Sequence, residues 1–211
     1  MLNARIAAIA AISIATIFAC SMQTFTHPML ILTNEPGGGH TNVGSSMFAC
    51  KIARNVVAVY EQNVWKGSGV ALNTNTILTA YHVVNGDPVF TIRSHYCNNG
   101  DITEGAAYPA MLLYFEPAAD LAWLGVTNPL TDGLPIAPIQ TGSSVWVYSA
   151  ARWGARGTVA LRDEHHALVD GLVRGGVSGG AVLDADGHLV GIVLARMVES
   201  RRYIMRLPRR M

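Results

Sequence analysis

The sequence predicts an all-β protein: two small antiparallel barrels of about six strands each, packed against each other. Three observations carry this. First, strand-like runs recur at short intervals in two sets. One set is Val56–Glu61, Gly67–Leu72, Thr76–Thr79, Pro88–Arg93, Ala110–Phe115 and Leu121–Val126; the other is Ser144–Ala150, Gly157–Arg162, Ala167–Asp170, Ala181–Asp184 and His188–Ala195. Second, the breaks between runs hold turn residues: Asn73-Thr74-Asn75, Asn85-Gly86, Asn98-Asn99-Gly100-Asp101, and Asp186-Gly187, a two-residue hairpin signal. Third, a Pro-rich stretch, TNPLTDGLPIAPIQTG at residues 127–142, separates the sets. Long helical periodicity is missing from the middle of the chain. The 21 Gly and 9 Pro, with many Val, Ile and Thr, fit a turn-rich β protein.

The elements follow in order. Residues 45–54 (SSMFACKIAR) can form a short helix. The first barrel is assigned to residues 55–126, the linker to 127–143, the second barrel to 144–197 and a basic tail to 198–211.

The 211 residues are 50% apolar and only 14% charged, against roughly 25% charged in an average soluble domain. Such a chain is too apolar to be disordered. A formal net charge of +1 argues against a nucleic-acid binder acting by broad phosphate neutralisation. That charge is unevenly placed. Residues 20–195 hold 8 basic and 13 acidic residues, whereas residues 196–211 hold six Arg and one Glu. The tail is read as solvated.

Residues 1–21 (MLNARIAAIAAISIATIFACS) read as a cleaved signal segment, in which Arg5 precedes 14 uncharged, mostly apolar residues. This run is short for a spanning helix, and no second long apolar run follows. Its end reads in two ways. Ile17-Phe18-Ala19-Cys20 resembles a bacterial lipoprotein box, which would put a lipid on Cys20, although Phe18 departs from the usual small residue. Alternatively, ordinary cleavage follows Ser21. Residues 22–46 form a Gly-, Asn- and Ser-rich tether, and their GGGH run lacks the Gly-Lys-Ser/Thr of a phosphate loop. The protein is therefore expected to be exported, periplasmic or extracellular, with membrane contact only through a lipid on Cys20. With Cys20 in the leader or lipidated, Cys50 and Cys97 remain, and an exported pair is more often bridged than free.

Three segments carry candidate chemistry. Leu78-Thr79-Ala80-Tyr81-His82-Val83-Val84 places a His just after a strand, and His is the side chain most easily poised as a general base near neutral pH. Ala118-Ala119-Asp120-Leu121-Ala122-Trp123-Leu124 opens an apolar strand with a carboxylate, which needs partners; orienting a His is one use and capping a turn another. Gly175-Gly176-Val177-Ser178-Gly179-Gly180 sets a Ser among four glycines, where its hydroxyl can sit beside the N–H groups of Gly176 and Ser178 as an oxyanion hole. The order is His, Asp, Ser, the first two in the first barrel and Ser in the second. A cleft between barrels could unite them as base, orienter and nucleophile.

These segments resemble the trypsin-like (chymotrypsin-fold) serine peptidases, most closely the bacterial HtrA/Deg-type protease domain. Lys66-Gly67-Ser68-Gly69-Val70 is similar to that family's G-S-G strand. Thr79-Ala80-Tyr81-His82-Val83-Val84 is similar to its T-A-x-H-V motif, and Ala119-Asp120-Leu121-Ala122 to its D-L-A-L segment. Val177-Ser178-Gly179-Gly180-Ala181, continued by Asp184-Ala185-Asp186-Gly187-His188-Leu189-Val190-Gly191-Ile192, is similar to its S-G-G motif. The resemblance covers residues 47–197. It implies two six-stranded barrels and peptide-bond hydrolysis through an acyl-enzyme, with His82 as base, Asp120 as orienter and Ser178 as nucleophile. It also implies a pocket for the side chain preceding the scissile bond, walled by Leu172, Val193, Leu194 and Ala195. No acidic residue stands at the pocket base, so small or aliphatic residues are expected over Lys or Arg.

Two positions depart from the family pattern. Val177 replaces a polar residue and speaks against activation by pairing with a new N-terminus. Tyr81 replaces a usual Ala. A PDZ domain, and the regulated oligomers that go with one, are not expected.

Gly176-Val177-Ser178-Gly179-Gly180 also fits the Gly-x-Ser-x-Gly elbow of α/β-hydrolases. That fold needs its Asp and His after the Ser, and here only His188 follows. His165 and His166 are adjacent and would point to opposite faces of a strand. No metal site and no cofactor are expected; the expected partner is a polypeptide substrate. Two alternatives remain: an inactive barrel acting as a binding or adaptor protein, and an esterase using the same triad.

Overall fold

β-Branched and aromatic runs separated by Gly, Asn and Asp turns give twelve strands that close into two barrels. The computed structural model describes residues 49–85, 89–98, 101–127, 130–150, 154–171, 176–197 and 202–207. The signal segment, the tether, Cys20 and Leu172 lie outside these residues. Both barrels belong to one unit, Thr41–Met211.

A short helix at residues 49–53 leads into the first barrel. Its strands are β1 (Val56–Glu61), β2 (Val64–Ala71), β3 (Thr76–Ala80), β4 (Val89–Asn98), β5 (Asp101–Glu116) and β6 (Leu121–Val126), closed in the order β1-β2-β3-β6-β5-β4. The second barrel comprises β7 (Ser144–Tyr148), β8 (Gly154–Arg162), β9 (His166–Asp170), β10 (Ala181–Leu183), β11 (Leu189–Met197) and β12 (Arg202–Arg206), closed as β10-β11-β12-β9-β8-β7. All pairings between neighbouring strands are antiparallel. The expected fold class, two packed six-stranded barrels, is what the chain adopts.

Alternation on β11, reset by a register shift opposite Val182 and Leu183, explains how the barrels join. On β11, Val190 and Val193 belong to the core of the second barrel, with Val145, Val147, Val169, Tyr203 and Met205. Leu189, Ile192 and Leu194 belong to a different core, with Val57, Ile77 and Leu124 of the first barrel. A strand buried on both faces reads as a continuous apolar run, as LVGIVLA does here. The segment expected to be a linker also takes part: Leu189 N–H donates to Pro135 O (2.7 Å) and Ala137 N–H to Leu189 O (3.1 Å).

The first barrel carries an arm longer than the sequence suggested. β4 and β5 stay paired from Val89–Met111 to Asn98–Asp101. Cys97, near the tip of this hairpin, is disulfide-bonded to Cys50 of the short helix, with Cα atoms 5.4 Å apart. The expected pair is therefore bridged, tying the arm to the chain's entry into the barrel.

The expected solvated tail is corrected by β12. Arg202–Arg206 pairs with both β11 and β9 and closes the second barrel, which extends beyond residue 197. The stretch alternates: Tyr203 and Met205 are fully buried, while Arg202 is half-buried and bonds Asp170. A high Arg content hid this period-two pattern.

Arg206 is also buried, and its Nη1 donates to His166 Nε2 at 3.1 Å. Burial, then the Arg206 charge and to a smaller degree His165, hold the His166 pKa below 6.5, while Asp163 opposes them. As pH falls from 6.5, the unfolded chain protonates this His before the folded one does, so stability is lost on acidification. His166→Gln keeps an acceptor for Arg206 without titrating. Its urea midpoint is expected to fall less than the wild type's between about pH 7.5 and 5.5.

Candidate active site

The register of β3 on β6 brings the first two candidates together. Ala80 pairs with Leu121 and Thr79 with Ala122, so the residues just beyond each pairing lie at one end of the barrel. β3 runs into a 3-10 turn, Tyr81–Val83, that carries His82. β5 runs into a second 3-10 turn, Pro117–Ala119, that ends on Asp120 in the left-handed region (φ 53°, ψ 43°). Asp is among the few non-Gly residues that tolerate this region. Tyr81 N–H donates to Asp120 O at 3.0 Å and joins the two turns.

The Asp120 carboxylate grips His82 twice. Oδ1 accepts the His82 backbone N–H at 2.9 Å, and Oδ2 lies 2.8 Å from His82 Nδ1. A carboxylate acceptor places the imidazole proton on Nδ1 and leaves Nε2 free to accept. The side chains of His82 and Asp120 are 31% and 30% exposed, open enough for a reactant to reach them.

Ser178 comes from the loop before β10. Gly179 N–H donates to Val193 O (2.8 Å), Val193 N–H to Gly180 O (2.9 Å), and Gly180 N–H to Val177 O (2.8 Å). Gly176 and Gly179 both adopt positive φ, 84° and 76°. A Cβ on Gly176 would lie 2.3 Å from the Trp65 ring, and one on Gly179 would lie 2.0 Å from Ser68 O. Ser68 N–H donates to Ser178 O at 2.8 Å, which docks this second-barrel loop on β2 of the first. Beneath the seam, Gly67 is hemmed in by Ser178 O and by Val83, the neighbour of His82: a Cβ there would lie 2.9 Å from each.

The three candidates thus converge on one seam, with one contact unmade. Ser178 Oγ donates to Leu194 O at 3.4 Å, and no hydrogen bond joins it to His82 among the described residues. The N–H groups of Gly176 and Ser178 have no backbone acceptor among the described residues. Of the expected pocket residues, Val193 and Leu194 place their side chains in the two cores, whereas Ala195 is half-buried and Leu172 lies outside the described residues.

Sequence reading missed the residues that hold this seam. Ser68 is fully buried; its carbonyl accepts from Thr79 Oγ1 (2.6 Å) and its own Oγ accepts from Ala150 N–H (3.0 Å). Trp65 anchors its Nε1–H on Gly67 O (2.7 Å). A polar side chain set among apolar or glycine neighbours was the available signal for Ser68 and Thr79. Among the described residues, Asp184, Asp186 and His188 bring potential metal-ligand atoms within 4.8 Å of one another in the β10–β11 turn. Asp184 is engaged inside that turn, accepting from the N–H groups of Asp186 and His188 and bonding His188 Nδ1.

The trypsin-like peptidase domain model matches residues 67–192, which hold all three candidates. The chain belongs to this family. The motif resemblance is borne out, and the family and fold are those of a protease. Several solved structures are similar. The MamO protease domain from Magnetospirillum magneticum, in its apo form, is 21% identical with a TM-score of 0.60, over 74% of this chain and 93% of that one. The Rv3671c protease in an inactive form is 17% identical with a TM-score of 0.62, over 77% and 88%. The serine endoprotease from Yersinia pestis is 24% identical with a TM-score of 0.61, over 77% of this chain and 62% of that one. Among curated proteins none matches.

Gly179→Ala tests the seam of this protease fold. The new methyl would strike Ser68 O and Thr79 Oγ1, and the positive φ would be strained besides. A loss of at least about 2 kcal/mol in chemical unfolding is expected.

Proposed function

We propose that this protease is a serine endopeptidase acting through Ser178, His82 and Asp120. The observation that carries the proposal is the double grip of Asp120 on His82, beside the loop that presents Ser178. In this reading a polypeptide enters the seam, and Ser178 Oγ rotates from Leu194 O to His82 Nε2. Oγ attacks the scissile carbonyl carbon and His82 takes its proton. The N–H groups of Gly176 and Ser178 receive the carbonyl oxygen as it gains charge. His82 then protonates the leaving amine as the C–N bond breaks, leaving an acyl-Ser178. Water, deprotonated by His82, hydrolyses that ester and restores the hydroxyl. Asp120 stabilises the imidazolium in both halves and needs no proton of its own.

The leader and the Cys50–Cys97 bridge support an exported enzyme, since disulfides persist in oxidising compartments. Lipidation of Cys20 would hold it at a membrane. One observation favours the alternative of an inactive binding barrel: the Ser178 hydroxyl is turned to Leu194 O.

A fluorophosphonate probe separates these readings. Wild type is expected to label, Ser178→Ala to be silent and His82→Ala to label poorly. Asp120→Asn is expected to lower kcat about 10⁴-fold, because an amide in place of the carboxylate leaves the His in the wrong tautomer. Folded wild type that does not label would favour the binding barrel.

Substrate choice has its own test. The family resemblance puts Leu172 rather than an acidic residue at the pocket base, which favours small or aliphatic side chains before the scissile bond over Lys or Arg. A fluorogenic peptide panel is expected to show Ala or Val cleaved faster than Arg or Lys, and a strong basic preference would overturn this.

A further inference from the structure

Tyr81, the bulky residue beside His82, is half-buried, and its ring lies flat on Phe115, with centroids 5.1 Å apart and planes 10° from parallel. Phe115 stands opposite Ala122 in the β5–β6 ladder, just before the turn that carries Asp120. The Tyr81 backbone N–H donates to Asp120 O. Tyr81 therefore meets the Asp side of the site twice: its backbone bonds Asp120, and its ring rests on the end of β5 that leads into the Asp turn.

Asp tolerates the left-handed backbone of this turn, but the position of its carboxylate depends on it. Asp120 sits at φ 53°, from which relaxation to negative φ would swing its carboxylate off His82. Phe115 is 43% exposed, and the aromatic contact found for it is Tyr81. Offset-stacked rings prefer such separations and gain beyond their buried area.

We propose that the Tyr81–Phe115 stack is a positioning brace that holds Asp120 against His82 in its catalytic geometry. The proposal rests on the serine-peptidase reading. Neither ring is a catalytic residue; both act through the Asp120–His82 pair. A brace of this kind alters turnover rather than substrate affinity.

The test compares Tyr81→Ala, Phe115→Ala, the double variant and Tyr81→Phe. With a cleaved peptide, each single Ala variant is expected to lower kcat about 2- to 10-fold with KM unchanged. Its second-order rate of fluorophosphonate inactivation should fall in step. The double variant should be no worse than the poorer single one, because both remove the same contact. Tyr81→Phe keeps the stacking face and should restore wild-type kcat. Wild-type kcat in Tyr81→Ala, additive losses in the double variant, or a loss confined to KM would overturn the brace.

A second readout is independent of turnover: the downfield proton NMR signal of the His82 Nδ1–H bound to Asp120. It should broaden or vanish in Tyr81→Ala and persist in Tyr81→Phe. A signal unchanged in Tyr81→Ala would overturn the brace. An unlabelled wild type whose signal still depends on Tyr81 would overturn the peptidase reading alone.

Discussion

Ser68 N–H donates to the carbonyl of Ser178 across the seam between the barrels, at 2.8 Å, and other constraints converge on the same two residues. The Ser68 carbonyl takes the Thr79 hydroxyl, from the strand that leads to His82. Its Oγ takes the Ala150 N–H, from the segment after β7. All three polar groups of Ser68 are thus satisfied at zero exposure, the condition under which burying a polar residue is tolerated. Position 68 links the strand that leads to His82, the loop that carries Ser178 and the segment that follows the second barrel's first strand.

Glycine shapes what surrounds that link. Gly67 admits the Ser178 carbonyl and Val83 at once, and Gly179 lets the Ser178 loop lie directly on the Ser68 carbonyl. A side chain at either position would meet a backbone carbonyl across the seam at 2.9 Å or less, so the contact would have to open. The close approach matters because the proposed base and nucleophile come from different barrels, and a small misplacement of reacting groups is costly in rate. The apolar core shared by β11 and the first barrel supplies the non-directional part of the same docking.

The site is also asymmetric in its resting arrangement. Asp120 and His82 are bonded within one barrel, through turns set by the β3–β6 ladder. Ser178 belongs to the other barrel, and its hydroxyl rests on the Leu194 carbonyl. In the proposed mechanism that hydroxyl must change acceptor, a side-chain rotation that leaves every backbone bond of the loop in place. The half-made site is consistent with a backbone scaffold already in position.

The sequence by itself determined the strand succession, the turns and the identity of the candidate chemistry. Those are local: GSG, TAYHVV, ADLA and VSGGA each hold their information within a few residues, and β-branched runs broken by Asn, Asp and Gly specify strands without reference to the rest of the chain. The Cys50–Cys97 pair was legible because counting leaves no other partner once Cys20 is set aside. What only the tertiary structure decided depends on partners far apart in sequence. Ser68 meets Ser178 and Ala150 across the inter-barrel seam, and Tyr81 meets Phe115. β12 becomes a strand despite its arginines because β9 and β11 bracket it, burying Tyr203 and Met205 while Asp170 and His166 receive Arg202 and Arg206. A local pattern can state which face of a segment is apolar, but whether a charged residue is solvated or paired is decided by what the fold brings opposite it.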